Sequence, residues 1–251
     1  MWFIAAPAPA GTPELPQDAY KKTAEADLKF LQTRLEELSK AAAPNLRSAK
    51  PALATALLLA TYADGLGDKK LREDAIKVAE AVNDKKYKDA LELASKITIK
   101  PGTGGGKGDL PKLEAFEKAK DKDVTYLPHT MALFANKTVL QIPRGMNIEK
   151  DLKDWTNKAN PPKLDFAAVE ILATRSAVLN EFAFHNPNEK ARNKPESLRE
   201  WQKFSKNSVD LSKELATEAG KKAPEAKKVR DLLNKLDASC TDCHGKYRYD
   251  D

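Results

Sequence analysis

The stretch SCTDCHGKYR, Ser239 to Arg248, holds both cysteines of a 251-residue chain and one of its three histidines. It prolongs an apolar stripe in which Val229, Leu232, Leu233 and Leu236 recur at spacings of three and four, the mark of one helix face. On that helix Cys240 and Cys243 stand at i and i+3, and His244 at i+4 from Cys240, so the three side chains leave one face. The chain's only sulfur chemistry therefore sits on the last turns of a C-terminal helix. The fold is then a question of what packs behind that helix.

Upstream, the same periodicity recurs. Trp201, Phe204, Ser208, Leu211 and Leu215 share one face, as do Val169, Leu172, Ser176, Leu179 and Ala183. These spacings predict helices over about 225–248, 196–219 and 164–184, with a weaker one over 147–159. In the first half, Leu28, Leu31, Leu35 and Leu38 mark a helix over about 17–43; further helices are expected over about 46–65, 68–84 and 85–97. Aromatic residues make up only 7% and glycines number 11, while Ala, Leu, Lys and Glu recur throughout, so composition also favours helices. The expected class is all-α.

Two breaks divide the chain. KPGTGGGKGDLP, Lys100 to Pro111, reads as a loop. It fails as a phosphate-binding loop, because Pro101 stands where that motif needs Gly and Gly108 where it needs Ser or Thr. DLPKLEAFEKAKDKD and LPHTMALFANKTVLQ follow as short helices, then IPRGMN, Ile142 to Asn147, forms the second break. The expected organisation is an N-terminal tail over 1–16, disordered or the remnant of an export signal, a helical domain over 17–140, and a second helical domain over 147–251. A shift of 113 residues overlays Leu59-Ala60-Thr61 on Leu172-Ala173-Thr174, which reads as a hint that the halves are duplicates. The first copy would have Met131 in place of His244 and no cysteine.

The sequence Cys240-Thr241-Asp242-Cys243-His244 is a C-x-x-C-H, the attachment pattern for c-type haem. Two thiols can form thioethers to the porphyrin vinyls while the imidazole reaches the iron. A thioredoxin-type disulfide would place C-x-x-C at the start of a helix in an α/β fold, for which nothing argues here. Zinc would want four ligands, and His129 and His185 would have to converge from far away. Haem is the better reading.

Position narrows it further. Only seven residues follow His244, which leaves no downstream sixth ligand. With LDASCTDCHGKYR, in which an aromatic and then Arg follow the motif as Tyr247 and Arg248, and the preceding helix SLREWQKFSKNSVDLSKELA, the second half resembles the cytochrome c-prime family of class II c-type cytochromes. The resemblance spans about 147–251. It implies a four-helix bundle holding one covalent haem c, with His244 as proximal ligand and a sixth position left open for small gases such as NO and CO or filled by Met in electron carriers. It also implies a redox partner protein and an exported, periplasmic location, with a homodimer as one oligomeric form. The first half would be a haem-free bundle acting as scaffold or partner surface.

The remaining candidates follow from chemistry. Met146, at the entry to the haem domain, and His185, after Phe182 and Phe184, are distal-ligand candidates weighed against loop packing and helix capping. Arg175, between Leu172 and Leu179, needs an anionic partner, either a haem propionate or a carboxylate such as Glu170 or Glu181. Arg248 and Tyr247 are placed at the cofactor edge, and Trp155 and Trp201 in the core or haem wall. A haem enzyme such as a peroxidase is the alternative, but it requires a distal acid–base pair that few residues besides His185 suggest, so a non-enzymatic role is expected. The 43 Lys plus Arg and 37 Asp plus Glu are interspersed, which argues against nucleic-acid binding and is compatible with steering of an acidic partner. The longest apolar run, Ala52 to Ala63, is too short to span a membrane.

Overall fold

The computed structural model describes residues 12–42, 46–102, 147–157, 159 and 162–248. Among them the chain is all-α, with no strand. The first half supplies α1 (Gln17–Lys40), α2 (Leu46–Leu66), α3 (Lys69–Asn83) and α4 (Tyr87–Ser95). The second supplies α5 (Ile148–Trp155), α6 (Phe166–His185), the single turn α7 (Glu189–Arg192), α8 (Pro195–Ala219) and α9 (Ala226–Tyr247). The helices expected over 109–141, nearly all of the glycine-rich break, and Met131, Met146 and His129 lie outside the described residues.

Local chemistry sets the helix ends. Asp68, Asn147, Asp165 and Asn188 cap α3, α5, α6 and α7, each side-chain oxygen accepting from a backbone N–H three residues on at 2.9–3.1 Å. Pro195 opens α8, where its missing N–H costs nothing. In the first half α1 and α2 approach so closely at Gly65 that any Cβ there would overlap the Tyr20 ring.

In the first half α2 is the central helix, its side chains from Ala52 to Ala60 all buried against α1 and α3. In the second, α6 packs along α8, α8 along α9, and α9 against the short α5. The halves meet where α1 crosses α6, and one continuous apolar core runs through both, from Leu31, Leu57 and Val78 to Leu172, Leu215 and Leu233. The 113-residue shift aligns α2 with α6 and α4 with part of α8, and lays α3 over residues 182–196, where the chain leaves α6 and forms α7.

The turn from α8 into α9 is organised by a buried carboxylate. Glu218 accepts from Lys221 at 2.7 Å, from the backbone N–H of Glu225 at 3.2 Å, and lies 3.2 Å from the Lys228 ammonium. These donors, Lys221 first, hold its carboxyl at about 2, well below the usual carboxylate range. A depressed folded-state value means that the stabilisation is fully present above the ordinary carboxylate range and is lost as pH falls towards about 2. Denaturant melts between about pH 5 and about pH 2.5 should show stability falling in the unchanged protein, with a shallower fall in Glu218→Gln. Equal slopes would mean that Glu218 is not the group responsible.

Candidate functional site

The rotation of α9 about its axis is fixed by hydroxyls facing α8. Ser239 Oγ lies 2.9 Å from Ser208 Oγ and accepts from Asn207 Nδ2 at 2.9 Å; deeper in, Ser212 donates to Ser176 of α6 at 2.9 Å. Leu232, Leu233 and Leu236 are thereby driven into the core. The helix continues unbroken through the motif, so Cys240 and Cys243 emerge half-buried on adjoining turns, both as free thiols.

The two sulfurs meet different surroundings. Cys240 packs against the edge of the main core. Cys243 packs against a separate cluster made by Ala183, Ala191, Trp201 and Tyr247, with Phe182 and Phe204 at its rim. Within that cluster the Trp201 and Tyr247 rings meet edge-to-face at 5.5 Å, and the Trp201 indole donates to the Ala183 carbonyl at 2.7 Å. Burial pushes the Cys240 thiol up to about 12, reinforced by Cys243, Asp237 and Glu149; burial and then Glu200 push Cys243 up to about 11. Both are held as neutral thiols at physiological pH.

His244 is half-buried and within electrostatic reach of Glu149 and Lys153 of α5. Burial, Arg248 and Lys153 lower its pKa against the opposing pull of Glu149, so the imidazole is neutral and keeps a lone pair for a ligand. Glu149 bridges the two helices, lying 3.4 Å from Arg248 and 3.0 Å from Lys153. Asp237 lies 3.4 Å from the Thr156 hydroxyl, and Arg230 donates to the carbonyls of Trp155 at 3.4 Å and Pro162 at 2.9 Å. Together these contacts seat α5 beside the motif.

The other candidates divide. Tyr247 is buried against Trp201, its phenol donating to Ser197 O and lying 2.9 Å from Glu200 Oε2. Arg248 lies on the surface beside Glu149. Trp155 is in the main core and Trp201 in the wall behind Cys243. His185, the last residue of α6, has its Nε2 at 3.2 Å from Glu181, a partner one turn back on its own helix. Met146 lies outside the described residues.

Arg175 requires a correction. Its partner is neither a propionate nor Glu170 or Glu181, but Asp27 of α1: the guanidinium Nε lies 3.4 Å from Asp27 Oδ2, and the terminal nitrogen closes the fork on Oδ1. Tyr62 of α2 donates to the same carboxylate at 3.0 Å. Burial alone would pull the guanidinium down, but Asp27 and Tyr62 outweigh it and its pKa lies above the ordinary value. Glu170 instead accepts from Lys22 of α1 at 2.9 Å. Both ends of the α1–α6 crossing are thus tied by ion pairs.

Among the described residues no three His, Cys, Asp or Glu side chains converge as a self-contained metal site. The C-x-x-C-H set offers something different, namely two neutral thiols and one neutral imidazole on one face, backed by aromatic and apolar walls. An open depression of about 340 Å³ between the end of α1 and the start of α4, lined by Leu38, Tyr87 and three lysines, draws on no residue of α9. No family model, curated protein or solved structure matches this chain.

Proposed function

We propose that the chain is a monohaem c-type cytochrome that acts in electron transfer or small-gas binding outside the cytoplasm. The observation that carries this reading is the presentation of Cys240, Cys243 and His244 together on a half-buried face of α9, beside Trp201, Phe204 and Tyr247. These residues fit the group: Cys240 and Cys243 would hold it, since each S–H could add across a vinyl double bond, sulfur to one carbon and hydrogen to the other, with no oxidant and no leaving group needed. His244, neutral and half-buried, would hold the iron. When bound, the haem supplies the redox couple and the gas-binding iron; the protein supplies attachment, axial ligation and burial.

His185, the other histidine of the described second half, sits at the end of α6 with its Nε2 beside Glu181. The expected ferric haem is five-coordinate and high-spin, and the ferrous form binds CO. Protein matured in a host competent for c-haem attachment should exceed the polypeptide mass by one haem and show a CO-shifted ferrous spectrum. Unmodified polypeptide from that host would sink the haem reading. A low-spin ferrous spectrum indifferent to CO would keep the haem but reject the gas-binding role in favour of electron transfer.

A further inference from the structure

The final turns of α9 are the place where a helix should fray, because the last carbonyls of a helix have no partner within it. They are nonetheless held from outside. Asn188 Nδ2 donates to the Tyr247 carbonyl at 2.7 Å, and Lys190 Nζ donates to the Arg248 carbonyl at 2.7 Å. Both side chains belong to the short turn α7 and its cap. Ala191 of that turn is fully buried in the cluster that also contains Trp201 and Tyr247. Asn188 works in two directions, since its Oδ1 accepts from Ala191 N at 3.0 Å and so starts α7, while its amide nitrogen reaches across to α9.

We propose that α7 is a clamp for the motif-bearing turn, with Asn188 and Lys190 as positioning residues that keep Cys243 and His244 in helical register before any cofactor is attached. The clamp lies at the Cys243 end of the motif. Cys240, one turn earlier, is held by the main core through Leu236 and Ser239 and does not depend on α7. The purpose assigned to the clamp rests on the cytochrome reading, but its existence is a property of the polypeptide alone and can be tested without haem.

The experiment uses the full chain, produced without haem attachment, and measures alkylation of each thiol by iodoacetamide with peptide mapping. The decisive variant is Asn188→Asp, which keeps the oxygen that caps α7 but removes the donor to Tyr247 O. Reactivity of Cys243 should rise about two- to tenfold, the range that loss of one intramolecular hydrogen bond produces in a local opening equilibrium, while that of Cys240 rises less than twofold. Lys190→Ala should act in the same direction and Lys190→Arg should restore the original rate. Equal acceleration at both cysteines would show global loosening, and no acceleration at Cys243 would show an idle contact; either result overturns the clamp. Neither bears on whether haem is attached, which the mass measurement decides separately.

Discussion

Replacing Cys240 and Cys243 together by Ser is expected to leave no haem on the denatured chain, against one covalently held haem per chain in the unchanged protein. The effect is all-or-none, because these are the only sulfurs able to form thioethers; the methionines are already fully substituted. The fold should survive. Both thiols are only half-buried, and Ser at 240 or 243 faces the α8 side of a helix whose register Ser239, Leu233 and Leu236 already set. Helix content by circular dichroism should therefore match that of the unchanged apoprotein while the haem band is absent after acid extraction. A single Cys243→Ser change leaves one thioether, and its reduced pyridine-complex absorption should move to longer wavelength, since one vinyl remains conjugated with the ring. His244→Ala is the complementary test, in which attachment should be retained and the proposed iron ligand lost. Haem that stays bound to the double-Ser chain through denaturation would refute the assignment outright.

The nine described helices and the sequence agree where apolar periodicity is the whole signal. The stripes on α1, α8 and α9 were legible because each buries one face and leaves the other in water. The turn α7 was not, since four residues cannot display a period; the trace it left is Asn188 three residues before Ala191, a capping pattern that only burial of Ala191 makes meaningful. At the site, the Cys240-Cys243-His244 spacing is a local property of one helix and could be read directly. The approach of Glu149, the contact of Ser208 with Ser239, and the reach of Asn188 to Tyr247 are tertiary, made between residues 31 to 99 apart, and no short-range pattern encodes them. Arg175 shows the same limit. It was recognisable as a charge on an apolar helix in need of an anion, but α6 is buried on two sides, against α8 and against α1, so periodicity gives no hint of which side the guanidinium takes. Asp27 lies 148 residues away. Its one sequence trace is that it stands four residues before Leu31 and so continues a buried row.

That pairing leads to the largest expected effect on stability. Asp27 and Arg175 are both fully buried, and the Asp27 carboxylate is met by the Arg175 guanidinium and the Tyr62 hydroxyl. Removing one partner leaves an uncompensated charge in the core, and Arg175→Met or Asp27→Leu alone should cost about 3–5 kcal/mol in denaturant unfolding. The double variant should cost far less than the sum of the two, because the stranded charge disappears with its partner and the replacement side chains are apolar and of comparable volume. A residual loss is expected from Tyr62, whose hydroxyl then lacks its acceptor. Additive losses in the double variant would mean that the two side chains act through packing and not as a pair. The cycle also separates the pair from the proposed haem site: Arg175 faces α1 and the C-x-x-C-H face belongs to α9, so on that reading the double variant should still receive one covalent haem. If instead its haem loading fell while its stability recovered, the Asp27–Arg175 pair would have to be transmitting the placement of α6, through Ser176 and Ser212, to the helix that carries the motif.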